Sequence, residues 1–315
     1  MYLGIDFLIH AGQRIYVSEI NTGLPAGATE YDLVYRQRFG RSSGIFTRIE
    51  TLSRNTYGKG FPEHVKGLPY LRELRTLKTW MDGRGPVPSV FPPALRLEDK
   101  WVQHQILSDG FPMIPTRIFR PEEAALYSDW FNEYKSVALK RRLGRGGKDF
   151  IRIRETAELK QVESKKNFYL VQPWLDSTVG PYTFSIRAAA FGGRFLCMFA
   201  SLTRRTTSNH GLRFYVRPGK ALGLYPENFA VQKIVRTAWE AELFYEGKIP
   251  EYLYKDVTLE EIADAELILP ERFYRCIRRI AANLSRKLML TDPATLPPSC
   301  LEVQEGKNSV KAEGD

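Results

Sequence analysis

The fold of this chain is decided by two short apolar runs near its start, Gly4-Ile5-Asp6-Phe7-Leu8-Ile9 and Tyr16-Val17-Ser18-Glu19-Ile20-Asn21. A turn containing Gly12 separates them, and this pattern predicts a β-hairpin. Alternation puts Glu19 and Asn21 on one face of their strand, where they face Asp6 on the neighbouring strand. Two carboxylates and an amide oxygen make an all-oxygen site, which suits Mg²⁺. The same residues also fit a surface hairpin with ordinary polar ends, so the motif alone leaves both interpretations open.

Length and composition indicate a globular protein with two or three packed subdomains. The chain has 315 residues, of which 43% are hydrophobic and 26% are charged. No apolar run approaches the ~18 residues that span a bilayer, and the first residues do not resemble a secretory signal. Cys197, Cys276 and Cys300 have no metal-binding spacing, so we expect reduced thiols in a cytoplasmic protein. The net charge of +10 suits a nucleotide, an acidic substrate or a nucleic acid, and does not choose among them.

Periodicity gives a coarse map of helices and strands. The region 28–94 is basic and aromatic with few clean periods, apart from a basic amphipathic helix at 71–81. Further helices are predicted over 97–107, 121–134, 228–245 and 270–290, and Thr258–Glu261 fits a helix-capping box. Strands are predicted over 112–119, 136–140, 150–153, 168–175, 183–190 and 194–202.

A lysine and a glycine-rich loop follow one of these strands. Lys140 ends the strand 136–140, and Gly144, Gly146 and Gly147 lie just beyond it. Glycines let backbone amides approach phosphate oxygens, and a lysine adds a compact positive charge. A plain basic β-turn has the same composition, so this loop alone does not establish phosphate binding.

In cyclic order these motifs resemble those of the ATP-grasp superfamily. The family begins with an Asp-Lys helix and a proline-rich strand, which Asp99-Lys100 and Gly110–Thr116 are similar to. A strand lysine and glycine-rich loop follow, as at Lys140, and then a hinge strand that holds adenine, as at 171–175. An arginine hairpin and an Arg–Asn–Gly segment come next, as at Ser185-Ile186-Arg187 and at Arg204-Arg205 through Asn209 and Gly211.

The family ends with a helix that leads into Gly-x-Asp-Phe and Glu-x-Asn, and here that order is broken. The helix 270–290 lies near the end of the chain, whereas Gly4-Ile5-Asp6-Phe7 and Glu19-Ile20-Asn21 lie at its start. Joined end to end, Leu288-Met289-Leu290 would continue directly into Leu3-Gly4. The resemblance therefore identifies a circularly permuted ATP-grasp protein.

The resemblance implies an α+β fold in which two subdomains with antiparallel sheets hold ATP between them. Residues 1–27 would be a metal-binding hairpin belonging to the second subdomain, 176–290. Residues 95–175 would be the nucleotide-binding subdomain, 28–94 an irregular substrate or lid segment, and 291–315 a polar tail.

The resemblance also assigns roles to residues. Asp6, Glu19 and Asn21 would bind Mg²⁺ at the ATP phosphates. Arg187 and Arg204 or Arg205 would bind the γ-phosphate and the acceptor carboxylate. The nucleotide would be bound by two lysines, the loop glycines and the hinge strand, namely Lys100, Lys140, Gly144, Gly146, Gly147, Gln172, Trp174, Leu175 and Asp176. Gln172 stands where the family usually has Glu, and Asp176 is the only nearby acid for the ribose.

The implied activity is that of an ATP-dependent carboxylate–amine ligase, which makes an amide through an acyl phosphate. Its partners would be a small-molecule or peptide carboxylate and an amine, with no membrane, and a nucleic acid is not expected. The alternatives are an ATP-grasp kinase that phosphorylates a hydroxyl, and a basic, non-catalytic protein that binds nucleotide or nucleic acid. The sequence does not specify the substrates or the oligomeric state.

Overall fold

The computed structural model describes residues 1–302 apart from 12, 23–26, 82, 84, 145–149, 163–168, 205–211, 226–230 and 235–259. The chain divides into two compact units. Unit 1 comprises Met1–Leu68 and Asp176–Leu290, and unit 2 comprises Pro69–Leu175 and Thr291–Asp315. Both units combine helices with antiparallel strands, which confirms the α+β class. No helix in the described ranges is both long and apolar enough to cross a membrane.

The elements are numbered in chain order. The strands are β1 (Tyr2–His10), β2 (Arg14–Thr22), β3 (Arg117–Ile118), β4 (Val137–Arg141), β5 (Ile151–Ile153), β6 (Tyr169–Pro173), β7 (Thr178–Val179), β8 (Tyr182–Phe191), β9 (Arg194–Arg204), β10 (Leu212–Gly219), β11 (Gly223–Tyr225), β12 (Val231–Ile234) and β13 (Glu260–Pro270). The α-helices are α1 (Ala28–Phe39), α2 (Ile45–Tyr57), α3 (Phe61–Lys66), α4 (Leu71–Met81), α5 (Lys100–Leu107), α6 (Ser128–Tyr134), α7 (Thr156–Gln161) and α8 (Glu271–Leu290). Within the described residues, 3₁₀ segments span Pro93–Glu98, Pro121–Tyr127 and Pro293–Thr295.

Unit 1 is built on one large sheet with the strand order β11-β13-β10-β9-β8-β1-β2. Its described pairs are antiparallel except β10 with β13. The β8–β9 hairpin turns at Gly192 and Gly193, as predicted, and both have the positive φ that a two-residue hairpin turn requires. Strand β1 lies between β2 and β8, so the start of the chain is inside the sheet rather than at its edge.

Helix α8 packs against one region of this sheet through a continuous apolar stripe. It contacts β8, β9, β1 and β13. Burying each large apolar side chain of the stripe stabilises the folded state by about 1.5–3 kcal/mol. The stripe consists of Phe273, Ile277, Ala281, Leu284 and Leu288. Helix α1 packs on β9, β10 and β13, and α2 packs on β9. The predicted helix at 270–290 is therefore confirmed.

Unit 2 contains an antiparallel sheet with the order β3-β6-β4-β5. Val137 and Leu139 from β4, Ile153 from β5 and Val171 from β6 share a core with Phe119. The prediction of a strand over 112–119 is wrong for most of its length, because only Arg117 and Ile118 pair with β6.

The region 28–94 is not irregular, because it contains helices α1 to α4. The predicted helix at 71–81 is confirmed as α4. Helix α1 lacks a clean apolar period because polar side chains occupy buried positions along it. Glu30 accepts a hydrogen bond from the Gly27 N–H, and Asp32 accepts hydrogen bonds from the Ser42 and Ser43 hydroxyls.

Two predictions near the end of unit 1 also differ from the structure. Thr258–Glu261 does not begin a helix, because Glu260 is the first residue of β13. Within the predicted helix 228–245, residues 231–234 form β12 instead, since their backbone pairs with β13. Residues 235–245 lie outside the described residues.

The segment 291–302 belongs to the core of unit 2 and is not a polar tail. Cys300 and Leu301 are buried with Leu74 and Leu77 of α4. The Arg96 guanidinium binds Glu302, with Nη2 and Oε1 2.7 Å apart. These contacts explain why a polar sequence is fixed here. Residues 303–315 lie outside the described residues.

Candidate functional site

The β1–β2 hairpin brings the three predicted metal ligands together. Asp6 pairs directly with Glu19, and Gly4 pairs with Asn21. Because side chains two residues apart share a face, Asp6, Glu19 and Asn21 lie on the same side of the hairpin. A β-bulge follows Asp6, and the Ser18 hydroxyl donates to the Asp6 carbonyl oxygen at 3.1 Å. The predicted hairpin and the placement of these three residues on one face are therefore confirmed, and their binding of a metal stays a prediction.

Asp6 also faces Arg187 across the next strand. The Arg187 Nε donates to Asp6 Oδ1 at 2.7 Å, and Nη2 donates to Oδ2 at 2.6 Å. The two side chains are 12% (Asp6) and 29% (Arg187) exposed, so the pair is shielded without being closed off from solvent. Arg187 was predicted from its hairpin, and the structure places it beside the hairpin carboxylates.

This pair is part of a row of facing residues that crosses the sheet. From β2 to β13 each residue is the register partner of the next, in the order Glu19, Asp6, Arg187, Phe199, Tyr215 and Glu266. At one end of the row, the acids Glu19 and Asp6 lie next to Arg187. Between Arg187 and Glu266 the row is aromatic, and there Tyr215 contacts Tyr35 and Phe39 of α1, with ring centroids 5.9 and 5.0 Å apart.

The N-terminus of α1 lies against Arg187. Gly27 has φ +97°, and a Cβ there would be 3.2 Å from Arg187 Cδ and 3.4 Å from Phe199 Cε1. Its N–H donates to Glu30 Oε2 at 2.8 Å. Glu30 is a site residue that sequence reasoning missed. The signal was an acid three positions after a glycine, which is a helix-capping pattern.

The neighbouring carboxylates favour the charged form of Arg187. Burial by itself would lower the pKa of Arg187, but Asp6 outweighs burial, and Glu30 and Glu19 add to its effect, so the pKa is raised. Arg187 therefore stays charged and is fixed in position by two hydrogen bonds. A guanidinium has more N–H groups than Asp6 uses, so the remaining ones are suited to a carboxylate or phosphate ligand.

The hairpin fits Mg²⁺ as a partial ligand set and not as a complete cage. In the described part of the chain, no three His, Cys, Asp or Glu side chains are grouped for a metal. Mg²⁺ is usually bound by one or two carboxylates, with waters and substrate phosphates completing its shell. Each Asp6 oxygen keeps a lone pair beyond the one that Arg187 uses, and Glu19 lies directly opposite.

In unit 2, the predicted Asp99-Lys100 pair has two separate roles. Asp99 is fully buried and caps α5, and it binds the Arg142 guanidinium, the Ser299 hydroxyl and the Cys300 N–H. Lys100 is the first residue of α5, and its Nζ donates to the Gly144 carbonyl oxygen at 2.5 Å. The structure thus brings Lys100 to the first glycine of the predicted phosphate loop.

Lys140 lies beside an aromatic pair. Its Nζ is 5.6 Å from the centroid of the Phe150 ring, which is 5.7 Å from the Trp174 ring. The Arg152 guanidinium lies over the other ring, 4.2 Å from the Trp174 centroid. A cation over an aromatic face is attracted to the ring electrostatically. Arg152 was not predicted, because its position in a short exposed strand gives no sequence signal.

Gln172 presents a buried hydrogen-bond acceptor. Its Nε2 donates to Thr116 Oγ1 at 2.8 Å, and that hydroxyl donates to the Ile114 carbonyl oxygen at 2.7 Å. Among the described residues, Gln172 Oε1 has no hydrogen-bond partner. An unpaired buried acceptor costs about 1–3 kcal/mol, and the exocyclic amine of adenine is a donor that would pair with it. Leu175 is also buried, close along the chain.

Asp176 belongs to unit 1 rather than to the hinge strand of unit 2. Its N–H donates to His10 Nδ1 at 3.0 Å, and its carbonyl accepts the Ala11 N–H at 2.9 Å. Arg204 is the last residue of β9, and only its backbone is described. The remaining predicted site residues, Gly146, Gly147 and Arg205, lie outside the described residues, as do Asn209 and Gly211.

Comparison with known proteins adds no further constraint on this site. A scan against protein-family models finds no match, and no curated protein matches the sequence. The candidate site therefore depends on the residue contacts described above.

Proposed function

We propose that this protein is a circularly permuted ATP-grasp enzyme, a cytoplasmic ATP- and Mg²⁺-dependent carboxylate–amine ligase. The observation that carries the proposal is the facing arrangement of Glu19, Asp6 and Arg187 on three neighbouring strands. It combines oxygen ligands for a hard cation with an arginine suited to a planar oxyanion. A surface hairpin with incidental polar ends would not require a buried Asp6 bound through both oxygens.

The permutation is supported by the place of β1 in the sheet. Strand β1 lies between β2 and β8, and α8 packs against β1 in the same unit. A helix that precedes the hairpin in the family order would occupy this position. In this chain the hairpin lies at the start of the sequence and the helix near its end. A circular permutation of the family's order would give this arrangement.

The nucleotide would be bound by unit 2. Lys100 and Lys140 would neutralise phosphate charge, and the loop that begins at Gly144 would donate backbone N–H groups. Gln172 Oε1 would accept from the adenine amine, with Trp174 and Leu175 forming apolar surface for the ring. Gln172 replaces the family's Glu without loss of this acceptor, because its amide group donates to Thr116 instead.

Catalysis would rely on unit 1. The acceptor carboxylate attacks the γ-phosphorus of ATP, the bond to the β-phosphate oxygen breaks, and ADP leaves. The amine then attacks the acyl carbon, loses a proton, and inorganic phosphate leaves as the amide forms. Arg187 would orient the acceptor carboxylate or stabilise charge on the transferred phosphoryl group. Mg²⁺ bound by Asp6, Glu19 and Asn21 would neutralise phosphate charge.

The test is a hydroxylamine trap with ATP, Mg²⁺ and a panel of amino-acid and peptide carboxylates. A ligase yields a hydroxamate with the correct carboxylate, and the variant Asp6→Asn should yield it about 100- to 1000-fold more slowly. Arg14→Gln is the matched control, because Arg14 is an exposed residue at the other end of the same hairpin. A stable phosphorylated product without hydroxamate would indicate a kinase. No Mg²⁺-dependent turnover with any acceptor would contradict the enzyme proposal.

A further inference from the structure

Helix α8 has a cationic outer face that the proposed catalytic site does not use. Its 20 residues contain a single acid, Glu271, which pairs with Arg275 at 2.7 Å. Six cationic side chains of the helix are exposed, namely Arg272, Arg275, Arg278, Arg279, Arg286 and Lys287. The buried apolar stripe occupies the opposite side of the helix.

The cations are aligned because their spacing follows the helical repeat. At about 100° per residue, Arg272, Arg275, Arg279, Arg286 and Lys287 fall within an arc of about 120°. From Arg272 to Arg286 the row extends about 21 Å at 1.5 Å per residue. It is a long stripe of one sign rather than a scatter of surface charges.

Further arginines extend this stripe onto the tip of the β8–β9 hairpin. The Arg278 guanidinium lies over the Phe195 ring at 5.4 Å, and a Cβ at Gly193 would be 3.6 Å from Arg286 Nε. Arg48 of α2 donates to the Phe195 and Leu196 carbonyl oxygens. Arg194, at the start of β9, is exposed. The α8 cations and Arg194 together are called the α8 cationic face.

We infer that the α8 cationic face binds the phosphodiester backbone of a nucleic acid. A nucleic-acid strand carries one phosphate per 3.4 Å of helix axis, so a row of about 21 Å spans several phosphates of one strand. Arginine predominates over lysine, and its planar fork matches phosphate oxygens bidentately. A basic stripe along one helix of a protein with pI ≈ 9.4 is the usual electrostatic footprint of such binding.

Two other polyanions fit this face less well. A helix that binds an anionic membrane inserts its apolar side into the headgroup region, whereas the apolar stripe of α8 is buried against the sheet. An extended acidic polypeptide carries at most one carboxylate per about 3.3–3.6 Å, whereas duplex DNA carries one charge per about 1.7 Å of its axis. The inference departs from the sequence-based expectation of no nucleic-acid partner, because only the structure places the tip of the β8–β9 hairpin, with Arg194, beside the α8 cations. It is independent of the proposed ligase activity.

The test is fluorescence anisotropy of the full-length protein with labelled single-stranded RNA and duplex DNA, at about 50 to 200 mM salt. We expect affinity to fall steeply with salt, with a log–log slope of about −2 to −4, for roughly three or four bound phosphates. The triple variant Arg272→Gln, Arg279→Gln, Arg286→Gln should bind at least about 10-fold more weakly. Its slope should become shallower by about one for each phosphate that it no longer binds.

The matched control is Arg14→Gln, Arg41→Gln, Lys220→Gln, which removes the same charge from exposed positions outside α8. It should retain most of the affinity, and thermal melts of both triple variants check that they are folded. Equal losses in the two triples, or no binding of either probe at low salt, would overturn the inference. Tighter binding of polyglutamate or of anionic vesicles than of RNA and DNA would overturn it as well. A difference between RNA and DNA identifies the preferred source of the phosphates.

Discussion

The two units each contain an aspartate bound through both oxygens by an arginine, and the two pairs differ in burial. In unit 2, Asp99 is completely buried and Arg142 is 5% exposed. In unit 1, the exposures are 12% for Asp6 and 29% for Arg187. Asp99 also accepts hydrogen bonds from Trp101, Ser299 and Cys300, so its oxygens are fully engaged. Asp6 has Glu19 opposite it and capacity left on its oxygens.

The comparison separates a structural ion pair from a candidate functional one. Removing one partner from a buried pair leaves an uncompensated charge, whereas a more exposed pair loses less because water replaces the missing partner. Asp99 joins α5 to Arg142, the residue after β4, and to the segment 291–302, so it stabilises the fold of unit 2. Asp6 and Arg187 are neighbours on two strands that already pair through their backbones, so their side chains are available for a ligand.

The largest expected effect is loss of stability in Asp99→Ala. The buried Arg142 guanidinium loses its partner, and we expect the free energy of unfolding to fall by about 3–5 kcal/mol. Urea titration measures this change. Burial raises the pKa of the Cys300 thiol to about 12, so Cys300 should resist iodoacetamide in the native protein and become reactive in the variant. The control Asp292→Ala removes an exposed helix cap and should cost about 1 kcal/mol. A similar loss in both variants would contradict the structural role.

The second effect is loss of activity in Asp6→Asn with little loss of stability. The asparagine oxygen still accepts a hydrogen bond from Arg187, and Glu30 and Glu19 remain near the guanidinium. The free energy of unfolding should therefore fall by only about 1 kcal/mol. We expect turnover to fall about 100- to 1000-fold, as when a group that stabilises transition-state charge is removed. Mg²⁺-dependent ATP turnover and urea titration of the same preparations measure both changes. If the variant loses stability and activity in parallel, Asp6 has a structural role like that of Asp99.

A smaller effect is expected from Gly27→Ala, which tests the contact between α1 and Arg187. Alanine at φ +97° is strained, and its Cβ would be 3.2 Å from Arg187 Cδ. We expect about 1–2 kcal/mol of destabilisation from the left-handed backbone and a raised KM for the acceptor carboxylate. Gly40→Ala is the matched control, because Gly40 also has positive φ but nothing within 4 Å. If both variants have the same KM, Arg187 is not sensitive to this contact.

Glu266 provides an intermediate case, because its stabilising contribution should be present at pH 7 and lost in acid. Burial by itself would raise the pKa of Glu266, but hydrogen bonds from Arg217 and Arg38 outweigh it and lower the pKa. A carboxyl with a lowered folded-state pKa stabilises the protein above its unfolded value and loses this contribution as pH falls through the folded value. We expect stability to decline below about pH 4.5. Glu266→Gln should be less stable at pH 7 and should show a weaker decline. If stability declines in acid equally in Glu266→Gln and the wild type, carboxylates other than Glu266 cause the decline.

Sequence reasoning identified the hairpin face because the alternation of Asp6, Glu19 and Asn21 is a local property of extended strands. It also located Arg187 and the helix 270–290, whose apolar repeat is long. It missed Arg152 and the effect of Glu30 on Arg187, since both come from contacts with residues far away in the sequence. Helix α1 was missed because its buried residues mix Glu30 and Asp32 with the apolar Ala28, Leu33 and Val34, which interrupts the apolar repeat. The C-terminal segment was misassigned because Asp99 and Arg96 fix its polar residues from a distance.

The most direct test of the central claim is the coupling between Mg²⁺ and ATP. Isothermal titration of ATP into the wild type, with and without Mg²⁺, measures this coupling, and Arg14→Gln serves as the control. If the hairpin binds the metal, Mg²⁺ should tighten ATP binding by about 5- to 150-fold in the wild type and control. The tightening should be nearly absent in the double variant Asp6→Asn, Glu19→Gln. Equal tightening by Mg²⁺ in the double variant and the wild type would contradict the claim.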